Sequence, residues 1–487
     1  MAELTNMETN PTLDVFILTF NAAKNQINSS VFANHLYNAL GQDATSLPDL
    51  LVFCIQEMAP LAKAFIGSYV LNPYFQSFES AVNLAAAKFI AEEERQTRYK
   101  DRPYTLMNTR NVGMTGIMLF AREPDAVHDL RGAEVGFGAG DMANKGAVGL
   151  RIFYKKDVGG DVRETELTFV SAHLAAMEWN LEKRNKNWES IVSGLVFEDP
   201  KSVIPPESSL PTPHTPEDGE EGQALLKPDS SRRALHEISI YKPGTHLFVA
   251  GDLNYRLSKT SPTNDSTFPD TDPESPYYYA HFLARDQLVS EKSAGRTLHG
   301  LSEAKIDFPP TYKLIVSPKA LPGTGPRHPS EEEGNDVDHV NWTWAPHRWP
   351  GWCDRVLYLE LPWWAQSSPG EGKGMKVRAY DAIPVVRTSD HRAVFLRLDV
   401  PVLEPSKLVP DEWAYETELN LEREKAPDPR IKLPFPIDLQ SWEHRAQVKK
   451  WESIIGWSML VSQSKQGITV LVTVLFVGLG AWWFRSQ

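Results

Sequence analysis

Apolar residues recur along most of this chain in short runs, each closed by a polar residue or a turn. The runs at Val15–Phe20, Leu51–Ile55, Thr115–Ala121, Ala147–Tyr154, Glu166–Ala172, His246–Ala250, Arg355–Leu359 and Ala393–Leu398 predict strands. Several are nearly continuous in apolar character, as expected where both faces of a sheet are covered. Ala59–Ile66 and Ala81–Arg98 have helical composition. The mixture predicts one α/β unit over about residues 12–400, with no internal repeat. Three stretches rich in Pro, Ser and Glu, at 199–231, 259–276 and 316–337, cannot bury enough apolar area to offset their ordering entropy. They predict surface insertions within that unit.

The pattern changes after residue 400. Residues 401–439 are rich in proline and charge and predict the start of a linker, 401–465. Within it, Trp442, Val448, Trp451 and Ile455 fall at helical spacing among His444, Arg445, Lys449 and Lys450. A helix over 440–461 has two readings: it lies at a membrane interface, or it packs on the α/β unit. From Gln466 to Phe484 no residue is charged. As a helix that run would span roughly 28 Å, near the thickness of a bilayer core. Trp482 and Trp483 stand at its end, and Lys449, Lys450 and Lys465 precede it. The expectation is a single transmembrane helix at 466–484, a tail anchor with nearly all of the chain in the cytosol. The alternative is a buried helix of the soluble fold.

Composition narrows the class. The chain has 487 residues and a net charge of −13, which argues against an unspecific nucleic-acid binder. Its two cysteines, Cys54 and Cys353, form neither a disulfide framework nor a zinc pattern, and a reducing compartment is the default. The apolar run after Glu3 and Glu8 is too short for a secretory signal.

The chemistry gathers at strand ends. Leu247–Ala250 is followed by Gly251, which lets the chain turn, and by Asp252 and Asn254 on one side of the extended backbone. A carboxylate there can take a proton from water, and an amide can hydrogen-bond an anion. Asn21, Gln56-Glu57 and His173 close other apolar runs, and Ser389-Asp390-His391 opens the last one. Any one of these alone is an ordinary polar cap. Together they suggest one crevice where strand ends converge. Oxygen ligands without cysteine favour Mg²⁺ over zinc.

The segments Gly251–Arg256, Phe308–Lys313, Trp352–Leu357, Ser389–Arg392, Asn144–Val148, His173–Ala176 and Glu182–Asn185 resemble those of the inositol polyphosphate 5-phosphatases. These belong to the endonuclease/exonuclease/phosphatase superfamily and include tail-anchored fungal phosphatidylinositol 4,5-bisphosphate 5-phosphatases. The resemblance covers about residues 12–400. Its Pro-Pro-Thr-Tyr-Lys and Trp-Cys-Asp-Arg segments are its most specific parts. It implies a four-layer α/β sandwich and Mg²⁺-dependent removal of the 5-phosphate of phosphatidylinositol 4,5-bisphosphate.

The resemblance also implies roles. Glu57 would be the main metal ligand, with Asn21 beside it. Asp252 would activate the attacking water, and Asn254 would hold the scissile phosphate. His173 and His391 would contact phosphate oxygens. Asp354 would orient His391, and Asp390 would help build the metal site. Tyr312, Lys313 and Arg355 would bind the neighbouring 4-phosphate, with Arg184 as a further candidate, and Asn144 and Lys145 would lie near the substrate mouth. The implied partners are a phosphoinositide and a membrane, with no nucleic acid. The expected location is the endoplasmic reticulum membrane, or alternatively the mitochondrial outer membrane. Two rival functions remain open: another phosphodiesterase of the superfamily, sphingomyelinase-like or nuclease-like, and an inactive phosphoinositide-binding tether.

Overall fold

A computed structural model describes residues 11–93, 102–204, 227–317, 340–366, 374–420, 427–463 and 465–486. Two six-stranded sheets pack face to face. The first is ordered β13-β14-β1-β2-β4-β3, with β1 Thr12–Asn21, β2 Leu50–Gln56, β3 Thr105–Val112, β4 Thr115–Ala121, β13 Lys376–Ala382 and β14 Val394–Pro401. The second is ordered β5-β6-β7-β8-β12-β9, with β5 Val127–Gly136, β6 Gly146–Val158, β7 Asp161–His173, β8 Thr245–Asp252, β9 Leu301–Ser302 and β12 Asp354–Leu359. A two-stranded ribbon, β10 Leu314–Val316 and β11 Trp342–Trp344, stands apart from both.

Strand period 2 sorts the core into layers. On β1, Val15 and Ile17 point into the interface between the sheets, where they meet Ile152, Phe169 and Phe248. Phe16, Leu18 and Phe20 point the other way, under the helices α1 (Ser29–Gly41) and α3 (Asn72–Glu93). On the second sheet, Val170, Leu247 and Val249 turn outward onto Trp188 and Ile191 of α4 (Leu181–Gly194). The order helix, sheet, sheet, helix explains why the strand runs are apolar throughout. Each fully buried large aliphatic side chain contributes roughly 1.5–3 kcal/mol. One glycine is fixed by this packing: a Cβ on Gly251 would lie 1.9 Å from the Ala172 carbonyl oxygen.

Register brings the polar strand ends to one edge. β1 and β2 run parallel and end together at Asn21 and Gln56. β7 and β8 run parallel, with His173 opposite Asp252. β12 is antiparallel to β8, so its first residue, Asp354, also pairs with Asp252. β14 is antiparallel to β1, so the Ser389–His391 segment preceding it arrives at the same edge.

Seven of the eight expected strands lie within observed ones, and the eighth, Ala393–Leu398, begins one residue before β14. The helix expected at Ala81–Arg98 begins earlier, at Asn72, and is described to Glu93. The helix at Ala59–Ile66 is Leu61–Ile66, here α2. Residues 259–276 form a loop, as expected, whereas most of the other two insertions lies outside the described residues.

The segment read as a linker is folded against the domain. Leu403 and Leu408 pack with Leu361, and Ile437 joins Val196 and Ile238. The buried Arg430 donates to the Glu360 carbonyl at 2.5 Å. The helix Ser441–Gln463 also lies on the domain, packed against α2 through one face. Its inward face is Arg445, Val448, Glu452 and Gly456, while Trp451 is 63% exposed. The apolar spacing in the sequence therefore marks both faces of this helix. The final helix is Lys465–Ser486, and the side chains of many of its positions lie outside the described residues. Among the described residues no helix is long and apolar enough to cross a membrane. The membrane-spanning helix expected at 466–484 is therefore not found there.

Candidate active site

The convergent edge forms a cleft of about 290 Å³. Its lining includes Asn21, Glu57, Lys145, His173, Asp252, Asn254, Tyr312, Lys313, Asp390 and His391. Of the expected site residues, these ten are brought together.

Asp252 is the hub. It is buried at the end of β8, and its Oδ2 accepts from Asn21 Nδ2 at 3.0 Å and lies 3.2 Å from His173 Nε2. His391 Nε2 is 4.0 Å away. Burial resists ionisation of Asp252. The His173 hydrogen bond and the positive charges of His391 and Lys145 more than offset it, holding the carboxyl well below the usual carboxylate range.

His391 is aimed by a buried relay. Its Nδ1 is 2.8 Å from Asp354 Oδ2, and the same oxygen accepts from Thr311 Oγ1 at 2.7 Å. Ser389 Oγ accepts from the His391 backbone N–H at 3.0 Å and donates to the Asn21 carbonyl at 2.6 Å. The Tyr312 ring lies over the imidazole, 4.4 Å between centroids. Burial alone would lower the His391 pKa, but Asp354, Asp252 and Asp390 raise it to about 9. Burial raises the Asp354 pKa, against the opposing pull of His391 and the Thr311 hydrogen bond. His173 differs. Burial and the charge of Lys145, whose ammonium contacts His173 Nε2, push its pKa down.

Glu57 follows β2 in the left-handed region, at φ 44°, and Asn254 follows β8 at φ 58°. Such conformations cost about 1–3 kcal/mol each and cluster at working sites. Here they turn both side chains into the cleft. Burial resists ionisation of Glu57, and its positive neighbours His173, Lys145 and Lys24 overcome that and lower its pKa. Lys24 Nζ sits 3.0 Å from Glu57. Lys313 Nζ meets Asp390 Oδ2 at 2.7 Å.

Donor atoms of Asp252, Asp354 and His391 lie within 4.8 Å of one another and would suit a metal ion. All three are already engaged with one another or with neighbours. The freer donors are the buried Asp252 Oδ1, which has no hydrogen-bond partner, and the cleft-facing Glu57. This carboxylate-rich set fits a hard divalent cation better than a thiophilic one. Asn21 faces Asp252 through its amide nitrogen, while its Oδ1 accepts from the Ala23 N–H. It therefore braces Asp252 and does not present a free oxygen to the cleft.

Four expected residues stand outside the cleft lining. Asp354 is behind His391, consistent with an orienting part. Arg355 is fully buried, forked onto Glu303 at 2.6 Å and bonded to Asp286 at 3.0 Å, so the expected contact with a 4-phosphate is not available to it. Arg184 is buried against the Ala175 and Met177 carbonyls and Gln287, and holds the loop after His173. Asn144 lies on the loop that carries Lys145. Two cleft cations were not anticipated. Arg256 is buried, stacks on Tyr312 at 4.4 Å and bonds Asn254, and Lys24 pairs with Glu57. Arg256 had a signal: it continues the alternation that places Asp252 and Asn254 on one side. Both cysteines are buried and free, and burial pushes the thiol of Cys54 up to about 12 and that of Cys353 higher still, so neither is a nucleophile.

The family model described as Endonuclease/Exonuclease/phosphatase family 2 matches residues 18–397. The chain belongs to this family. Among its relatives are the Saccharomyces cerevisiae polyphosphatidylinositol phosphatase INP53, 26% identical over 72% of this chain and 23% of that protein, and the Arabidopsis thaliana type II inositol polyphosphate 5-phosphatase 14, 28% identical over 66% of this chain and 25% of that protein. Both relatives are named as phosphatases of phosphoinositides or inositol polyphosphates. The chain spans about a quarter of the length of these curated relatives. The crystal structure of a synaptojanin inositol polyphosphate 5-phosphatase domain, with inositol (1,4)-bisphosphate and calcium, matches with a TM-score of 0.50 and 19% identity. It covers 92% of this chain and 93% of that one, a likeness of fold.

Proposed function

We propose that this protein hydrolyses the 5-phosphate of phosphatidylinositol 4,5-bisphosphate, with Mg²⁺, at a cytosolic membrane face. The observation that carries the reading is the buried Asp252, braced by Asn21 and His173, facing a cationic His391 across a cleft rimmed by Lys145, Arg256 and Lys313. The names of the relatives agree with it.

A phosphomonoester dianion needs charge neutralisation and positioning more than covalent chemistry. Glu57 and Asp252 would hold the divalent ion, which, when bound, neutralises phosphate charge and makes water more acidic. Asp252 would orient the attacking water. With a depressed pKa it is a weak base, so it mainly holds the water hydrogen as the oxygen–phosphorus bond forms. Asn254 and His391 would donate to phosphate oxygens, and Tyr312 and Lys313 would meet the 4-phosphate. The bond between phosphorus and the inositol 5-oxygen breaks; that oxygen takes up one of the attacking water's two protons, and the other stays on the released phosphate.

The membrane part of the proposal rests on the substrate class alone, a lipid whose headgroup lies at a membrane surface. An endoplasmic reticulum location, with the mitochondrial outer membrane as the alternative, is part of the same proposal. Phosphate release from a panel of phosphoinositides, with Mg²⁺ and an Asp252→Ala control, tests the reaction. Selective loss of the 5-phosphate in the wild type, falling at least about a thousandfold in the control, is expected. Release that survives the substitution would remove Asp252 from the chemistry.

A further inference from the structure

The helix Ser441–Gln463 lies beyond residue 397, where the family match ends, yet it rests on two elements that flank the cleft. The first is the turn between β5 and β6. There Glu452 Oε1 accepts from the backbone N–H of Ala143 at 2.6 Å. Ala143 is two residues from Lys145, whose ammonium reaches His173 inside the cleft. Glu452 is buried, and Arg445 forks onto it at 3.0 and 2.6 Å. Arg445 also donates to Glu134 of β5 at 3.2 Å, Lys449 meets the same carboxylate at 3.0 Å, and His444 meets Asp141 of the turn at 3.0 Å. The second is α2, which begins four residues after Glu57. A Cβ on Gly456 would lie 2.8 Å from the Ala62 carbonyl oxygen and 3.0 Å from Ile66 and Phe65 side-chain carbons. The helix approaches α2 that closely only with glycine at this position.

Within the turn, the Gly138 N–H bonds the Met142 carbonyl at 2.9 Å, the Asp141 N–H the Gly138 carbonyl at 3.2 Å and the Met142 N–H the Ala139 carbonyl at 3.3 Å, and none of these engages the Ala143 N–H. Gly140 and Asp141 both lie at positive φ, 61° and 56°. The turn closes through the Phe137 N–H to Lys145 carbonyl bond at 3.1 Å and the Met114 N–H to Ala143 carbonyl bond at 3.2 Å. The buried carboxylate of Glu452 satisfies the Ala143 N–H on the remaining side. A charge-assisted bond of this kind is stronger and more directional than a neutral one.

We propose that Glu452 is a positioning residue for the phosphatase site: it fixes the Ala143–Lys145 turn and thereby holds the Lys145 ammonium at the substrate phosphate. The C-terminal helix then sets substrate affinity from outside the matched family domain. The inference rests on the phosphatase reading. A cation that meets phosphate charge already present in the bound substrate contributes equally to ground and transition states, so its displacement appears in KM.

The test uses the full chain and a short-chain, water-soluble phosphatidylinositol 4,5-bisphosphate. Glu452→Ala should raise KM about fivefold or more while kcat stays within about twofold. Glu452→Gln keeps an acceptor for the Ala143 N–H and should return KM to within about twofold of wild type. Glu452→Asp, a methylene shorter, serves if the alanine variant folds poorly and should raise KM. Amide exchange in residues 137–145 should speed up in the alanine and aspartate variants and not in the glutamine one. If folded alanine or aspartate variants keep the wild-type KM, or if only kcat falls in step with melting temperature, Glu452 merely fastens the helix and the proposal fails. A wild type that releases no phosphate would instead defeat the phosphatase reading and this inference with it.

Discussion

Replacing Asp354 by Asn should convert a pH-tolerant enzyme into one that fades above neutrality. In the wild type, His391 is held at about 9 against burial, first by Asp354 and then by Asp252 and Asp390. Relative to the ordinary imidazole near 6.5, that is about 3 kcal/mol favouring the cation. Asparagine keeps the shape and still offers an oxygen to Nδ1, but it removes the nearest negative charge. At pH 8 an imidazole of pKa about 9 is about 90% cationic, whereas one near 6.5 is only about 3% cationic. If His391 must be cationic, kcat/KM at pH 8 should fall up to about thirtyfold in Asp354→Asn, and at pH 6 less than about twofold. The assay is phosphate release from pH 5.5 to 9.5 at saturating Mg²⁺. A bound cation would move the basic limb down in both proteins, leaving the separation between them. Stability follows the same sign. The contribution of a raised histidine is fully present below about pH 6.5 and is lost as pH rises through about 9. Parallel profiles, with the same loss at pH 6 and pH 8, would show that Asp354 acts on geometry alone and that the charge argument is wrong.

Other outcomes follow from the placement of charge. Arg355→Met strands the buried carboxylates of Asp286 and Glu303, so urea unfolding should show a loss of about 3–5 kcal/mol. KM of the folded fraction should stay within about twofold, and Lys313→Ala should do the reverse. A raised KM with unchanged stability in Arg355→Met would return that arginine to the substrate. His246 is buried, and burial with the nearby Arg430 charge lowers its pKa to about 3. The unfolded chain binds a proton there below about pH 6.5 and the fold refuses it, so stability falls as pH drops from about 6.5 toward about 3. At pH 5 the penalty is about 2 kcal/mol, and His246→Phe should lose that pH dependence while keeping its stability at pH 7 within the usual cost of a core swap. Equal acid sensitivity in the two proteins would count against the burial argument.

The central strands were legible because both of their faces are covered. Val15, Phe16, Ile17 and Leu18 are all buried, two by the partner sheet and two by helices, and an unbroken apolar run is the only pattern such a strand can show. The outer strands lacked that signal. β3 reads Thr-Leu-Met-Asn-Thr-Arg-Asn-Val and is mostly half-buried, so a sheet edge looks like a loop in the sequence. The segment after residue 400 misled in the opposite direction. Its prolines and charges suggest a solvated linker, but Leu403, Leu408 and Ile437 are spaced along it and each fills a small cluster on the domain. Isolated apolar residues at irregular spacing carry no period by which to recognise them.

At the site, chemistry was legible where backbone geometry alone decided it. Asp252, Asn254, Glu57, His173 and His391 stand at strand ends, and strand ends converge. Cations were harder, because a lysine or arginine in a motif can face substrate or brace the motif from behind. Arg355 and Arg256 show the difference. Both are fully buried arginines next to the site. Arg355 has two carboxylate partners that neutralise it from within the protein. Arg256 has a carbonyl, an amide and the face of Tyr312, and it lines the cleft. A buried guanidinium whose counter-charge lies within the fold braces the site. One that lines the cleft without such a partner leaves its charge to be met by the ligand. Arg256 therefore joins the cleft cations Lys145 and Lys313, the last of which is already paired with Asp390 at 2.7 Å. The cleft of this acidic chain thus offers Lys24, Lys145, Arg256 and Lys313 beside its carboxylates Glu57, Asp252 and Asp390.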